Sequence, residues 1–156
     1  IHTRIKKLKD NEFDALVIAT AALDRLQLNL ENVEKIDSSV MLPAATQAII
    51  GIEVGRDINP QKLEIIKSIN HHETYFIASV ERKIIKYLEG DCNSAIALIC
   101  NKVKESTFEV NLRAFDHKSL KVEKIDMCFI EAELDQFYLE LFNKIEDLKI
   151  KELISN

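Results

Sequence analysis

Cys92 closes the run Leu88-Glu89-Gly90-Asp91-Cys92, just past a segment with helical spacing. A thiol placed in such a turn can be exposed and mobile, and a reactive thiol belongs in such a place. Cys100 and Cys128 fall in apolar or strand-like surroundings and read as small core or strand residues. The three cysteines form no Cys-x-x-Cys pair and the four histidines no zinc-ligand pattern. That spacing suggests neither a disulfide scaffold nor a metal site and points to a reducing compartment. Arg4 and Arg25 carry forked donors that can hold a carboxylate bidentately, although each taken alone reads as a solvated cation on a helix face. The acids Glu131, Glu133, Asp135, Glu140, Glu146 and Asp147 lie opposite an apolar stripe, and no pair of acids is placed as a general acid and base.

The elements that must position these groups fall into two styles. Thr3 to Lys9 has a basic helical pattern, Asp14 to Ala19 reads as a buried strand and Ala21 to Leu28 as a short helix. A strand apolar along its whole length needs cover on both faces, and two short helices are too few, so this is the later part of an α/β unit whose opening is missing. Gln47 to Val54 reads as a second buried strand, and Asn59-Pro60 opens a helix through Ile69. From Asn70 the pattern is self-contained. Asn70 and Glu73 have capping-box spacing, and Ile77, Val80, Ile84 and Leu88 share a helix face that should end at Gly90. Ala95 to Cys100 and the alternating Phe108, Val110, Leu112 and Ala114 predict antiparallel strands. A third strand follows Asp116-His117-Lys118-Ser119, with Leu120 and Val122 in one phase and Ile125, Met127 and Phe129 in the other, which predicts a bulge near Glu123-Lys124. The last helix stacks Ile130, Leu134, Phe137, Leu141, Ile145 and Leu148. The expected fold is an α/β partial domain followed by a small α+β domain, a three-stranded antiparallel sheet covered on one face by helices.

The chain has 156 residues, 47% of them hydrophobic, and its 21 basic and 26 acidic residues are well mixed, for a net charge of -5. That balance gives no basic stripe for nucleic acid. The longest apolar runs are far shorter than a membrane span, and the amino end has no signal-peptide features. The start at Ile1 reads as a piece of something longer, and the expected location is cytoplasmic.

Several motifs share one order and spacing from the first residue to about Ile96. They are Thr3-Arg4, Asp14-Ala15, Leu23-Asp24-Arg25-Leu26, Met41-Leu42-Pro43-Ala44, Gln47, Gly51-Ile52-Glu53, Glu81-Arg82 and the run ending at Cys92. Together they resemble the C-terminal part of the porphobilinogen deaminases, or hydroxymethylbilane synthases. The resemblance implies a transferase of haem and tetrapyrrole biosynthesis that adds four porphobilinogen units to a primer and releases a linear tetrapyrrole with loss of ammonia. The implied cofactor is dipyrromethane, bound through a thioether to Cys92. Arg4 and Arg25 match substrate- and cofactor-binding arginines, which would neutralise the acetate and propionate arms of the pyrroles. Gln47 would line the same cleft or a hinge, while Glu81 and Arg82 pair within a helix or at a domain contact.

By the same resemblance, residues 1–48 are the last part of a second α/β domain similar to a lobe of the periplasmic binding proteins. Residues 49–69 are the crossover that completes the first domain, and residues 70–156 are the α+β domain with the cofactor cysteine. The catalytic aspartate and an arginine pair would lie upstream, so the piece alone is expected to be inactive. Its partners would be porphobilinogen, the growing oligopyrrole and the missing amino-terminal portion, with a monomer as the complete form and no nucleic acid or membrane partner. Departures from the family pattern include Asp91 for the second glycine before the cysteine, Thr46 and Ala48 for the glycines flanking Gln47, and Ala22 for the glycine before Leu23. Asp91 is expected to reduce backbone freedom and to raise the pKa of the neighbouring thiol. These changes support an alternative reading, a degenerate non-catalytic remnant that serves as a binding or interaction module.

Overall fold

The computed structural model describes residues 1–91, 93–116 and 118–155. Cys92 and His117 lie outside the described residues. The chain divides into two compact units, Ile1–Asp37 and Ser38–Asn156.

The first unit holds helix α1, His2–Lys9, and helix α2, Thr20–Arg25. Its buried side chain is Ile5 on α1. The expected strand at 14–19 does not form: this stretch is irregular, and Val17 is 64% exposed. A strand needs a neighbour to take its N–H and C=O groups, and among the described residues none pairs with it.

In the second unit, helix α3 spans Pro60–Ser68. Asn59 caps it by accepting from the N–H groups of Gln61 and Lys62, and Pro60 occupies the first turn, where its missing N–H costs nothing. The apolar run at 47–54 is also irregular, with Ile50 81% exposed, so the second expected strand is corrected for the same reason as the first. Thr46 and Ala48 have φ of 57° and 68°. This left-handed region costs an L-residue about 1–2 kcal/mol, and a β-branched residue there is an outlier.

Helix α4, His72–Leu88, buries Val80, Ile84 and Leu88 with Ile77 half-buried, as the stripe required. Its cap differs from expectation. His71 rather than Asn70 is the N-cap, its Nδ1 accepting from the Thr74 N–H at 3.3 Å. Strands β1, Ile96–Lys104, β2, Thr107–Phe115, and β3, Val122–Ile130, form an antiparallel sheet in the order β1-β2-β3. β2 alternates buried and half-buried along its whole length. No bulge interrupts β3, whose register with β2 runs unbroken from Val122 to Ile130; the irregularity lies instead between Lys102 and Lys104 on β1. Leu120 precedes the strand in a left-handed turn and Val122 faces solvent, which explains the apparent change of phase.

A single 3-10 turn, Glu131–Glu133, leads into α5, Leu134–Asp147, and Lys149, at φ 53°, separates it from α6, Ile150–Ile154. Ile130 therefore ends β3 and does not begin the last helix. α4 packs on β1, α5 on β3 and α6 on β2. The resulting core joins Val80, Ile84 and Leu88 to Leu98, Val110, Leu112, Phe129, Leu141, Ile145 and Ile150. Rings cross the sheet from Phe76 to Phe108 at 4.7 Å, on to Phe129 at 5.5 Å and to Phe137 at 4.2 Å. Each fully buried aliphatic side chain adds about 1.5–3 kcal/mol. The second unit thus contains the small α+β sandwich of sheet and helices that the sequence predicts.

Candidate functional site

Residues 89–91 follow directly where α4 stops. The Gly90 N–H returns to the Ile85 carbonyl and the Glu89 N–H to that of Lys86, with Glu89 at φ 55°, so Glu89 and not Gly90 takes the left-handed cap. A Cβ on Gly90 would stand 2.7 Å from Ile96 Cδ1, the far end of a side chain that would have to turn aside. Asp91 then organises the turn. Its Oδ1 accepts from the Asn93 N–H at 2.8 Å, the Ser94 N–H at 2.9 Å and the Ser94 hydroxyl at 3.0 Å, while its own N–H donates to Ser94 Oγ. The Asn93 N–H and then the Ser94 hydroxyl hold the Asp91 carboxyl below its usual pKa. Asp91 is not among the left-handed residues, so its place in the turn carries no left-handed strain.

A hollow of about 390 Å³ adjoins this turn, lined by Leu88, Glu89, Asp91, Asn93, Ser94, Lys151, Ile154 and Ser155. Its far wall is fixed through Glu146, which accepts from the Tyr87 hydroxyl at 2.6 Å and pairs with Lys151 at 2.9 Å. Tyr87 stacks on Phe142 at 3.7 Å, and the Lys151 ammonium stands 3.9 Å from the Tyr87 ring centroid. With Glu89 and Asp91 against one lysine, the hollow has no surplus of cations for an acidic ligand. Groups suited to carboxylates lie elsewhere.

Arg4 on α1 and Arg25 in the last turn of α2 are both exposed, and among the described residues neither guanidinium is hydrogen-bonded or ion-paired. Both belong to the first unit, whereas position 92 belongs to the second. Gln47 is exposed, and its Oε1 accepts from the Ala44 N–H at 3.2 Å. Cys100 is buried, its thiol pushed up to about 12 by desolvation and then by the Glu81 charge, and Cys128 sits exposed on β3. The cysteines at 100 and 128 are therefore the core and strand residues expected of them.

Glu81 is the residue that reading from the sequence missed. Among the described residues it does not pair with Arg82 within the helix: it is 3% exposed, and its carboxylate accepts backbone N–H groups from Thr46 at 2.5 Å and Cys100 at 2.7 Å. The signal was present in the spacing, because position 81 lies four residues after Ile77 and three before Ile84, on the apolar face. Asp116 is likewise buried. It accepts from the Lys118 N–H at 2.8 Å and from the Ser119 hydroxyl, which closes the turn between β2 and β3.

Comparison with known proteins places residues 1–62 in a family described as "Porphobilinogen deaminase, dipyromethane cofactor binding domain". That match contains Arg4 and Arg25 and ends before position 92. Porphobilinogen deaminase from Lawsonia intracellularis is 39% identical over 107 residues, which cover 69% of this chain and 34% of that protein. The enzyme from Dichelobacter nodosus is 33% identical over 132 residues, 84% of this chain and 42% of that protein. One from Campylobacter jejuni is 38% identical over 101 residues, 63% of this chain and 32% of that protein. The chain thus spans 32% to 42% of the length of these relatives, and no helix among its described residues is long and apolar enough to cross a membrane. By this similarity over most of its length, the chain belongs to the porphobilinogen deaminase family.

Proposed function

We propose that this chain is the C-terminal portion of a hydroxymethylbilane synthase, a transferase that adds four porphobilinogen units to a cysteine-bound dipyrromethane and releases a linear tetrapyrrole with loss of ammonia. The observation that carries this reading is the pair of exposed guanidiniums of Arg4 and Arg25, unpaired among the described residues, inside the segment that matches the cofactor-binding family model. Dipyrromethane, when bound, supplies a nucleophilic pyrrole carbon and acidic side arms. Arg4 and Arg25 would bind those arms by bidentate hydrogen bonds, and Cys92 would provide the thioether sulfur. In this reading residues 1–48 complete a lobe like those of periplasmic binding proteins, residues 49–69 cross to the other lobe, and residues 70–156 are the cofactor-cysteine domain. The irregular, exposed apolar runs around Val17 and Ile50 support it, since the upstream portion would supply their sheets. Porphobilinogen and the growing oligopyrrole are the ligands, a catalytic acid comes from upstream, and the complete protein works as a cytoplasmic monomer.

Mass spectrometry tests the proposal on protein made, together with the upstream portion, in cells that synthesise porphobilinogen. A mass increase of two pyrrole units that maps to Cys92 and disappears in Cys92→Ser is the expected result. An unmodified thiol with no activity would overturn it in favour of a non-catalytic remnant, the reading favoured by left-handed Thr46 and Ala48 where the family's glycines are expected.

A further inference from the structure

β1 lies at an edge of the sheet, where outward N–H groups must find partners outside the ladder. Two of these are covered by one short connector and one side chain. The Leu98 N–H donates to the Pro43 carbonyl at 3.0 Å, and the Cys100 N–H donates to Glu81 Oε1 at 2.7 Å. The other oxygen of Glu81 takes the Thr46 N–H. Between these anchors the connector turns tightly, with Gln47 N–H to the Ala44 carbonyl at 3.1 Å and Ile49 N–H to that of Thr46 at 3.1 Å. Thr46 and Ala48 stay in left-handed backbone, a conformation that persists only where surrounding contacts hold it. A buried carboxylate has acceptors only, so it suits two converging donors and nothing else nearby.

We infer that Glu81 is a positioning residue: its carboxylate bolts the connector Pro43–Ala48 onto the edge of β1, which fixes where the chain leaves the α+β sheet and closes that edge to other strands. The inference rests on the proposed function only in what the connector joins, namely the arginine-bearing segment and the cysteine-bearing domain. The bolt itself is a property of the second unit and is read without pyrroles.

Residue-resolved amide hydrogen exchange of the chain and of Glu81→Gln tests it. A glutamine has one carbonyl oxygen, so it can serve one donor while its NH2 opposes the other, and the connector is the side free to leave. Exchange at Thr46 and Leu98 should rise at least tenfold while Val110 and Leu112 keep their rates. Unchanged rates at Thr46 and Leu98, or an equal acceleration of all four, would overturn the inference. Should the variant fail to fold, the unsubstituted chain decides. Thr46 and Leu98 should open together, at least tenfold faster than Val110, and exchange of all three at a single rate would refute it. These amide rates are independent of the mass of Cys92, so failure here and failure of the proposed function are told apart.

Discussion

The helices and sheet of residues 72–155 own their core, whereas residues 1–69 expose much of their apolar surface, and the family model falls almost wholly on the latter. In the first region Leu98, Val110, Leu112 and Leu141 are sealed from water. In the second, Val17, Ile50, Ile52, Ile65 and Ile69 are exposed, although their residue types read as strand and helix interior. The difference teaches that similarity to a family and self-sufficient packing are separate properties of a stretch of chain. A segment can match a family model while depending on other segments for its burial.

Substitutions can sharpen or break this contrast. Leu141→Ala removes a fully buried side chain and should cost about 2–5 kcal/mol in denaturant unfolding, while Ile50→Ala should stay within about 0.5 kcal/mol. Comparable losses at the two positions would mean that residues 47–54 pack in solution and would erase the contrast. A smaller change is expected in the connector. Thr46→Gly relieves a left-handed β-branched residue but adds chain entropy, so the net gain should be up to about 1 kcal/mol in the same unfolding measurement. A loss would show that the Thr46 side chain makes contacts worth more than the strain.

Glu81 provides the smallest effect, one of slope. Burial raises its pKa above the usual 4.5, against the lowering effect of the Cys100 and then the Thr46 N–H donors. A carboxyl with a raised folded pKa contributes stability fully below its unfolded pKa and loses it as pH rises through the folded value. Unfolding free energy of the chain minus that of Glu81→Gln should therefore fall as pH increases from about 4.5. Asp126, held low chiefly by its hydrogen bond from Arg113, and Asp116, held low first by the Ser119 hydroxyl, act in the opposite direction, and taking the difference removes them. A difference that grows with pH would reverse the sign assigned to Glu81.

Much of residues 72–155 was legible because its periods are local. The stripe of α4 and the alternation of β2 need only the chain's own neighbours, and the structure has both. What escaped depended on tertiary context or on backbone that the residue type does not advertise. Lys149 breaks the last helix without glycine or proline, and Glu89 takes a cap expected of Gly90. His71 caps α4 through a ring nitrogen in place of the asparagine before it. The apolar runs at 14–19 and 47–54 carry strand-like residues, yet a run cannot state which edge it will meet. Motif spacing singled out Arg4 and Arg25, and the apolar stripe of α4 pointed to the turn that follows it. The role of Asp91 was not legible, since a carboxylate that ties down two amides and a hydroxyl looks in sequence like a charge beside a thiol.

Gly90 serves this chain by lacking a methyl group, not by rotating where others cannot. Its neighbour across the gap is the terminal carbon of Ile96, the first residue of β1. An alanine at 90 would therefore push the end of Ile96 aside, and trimming Ile96 to valine would remove the contact.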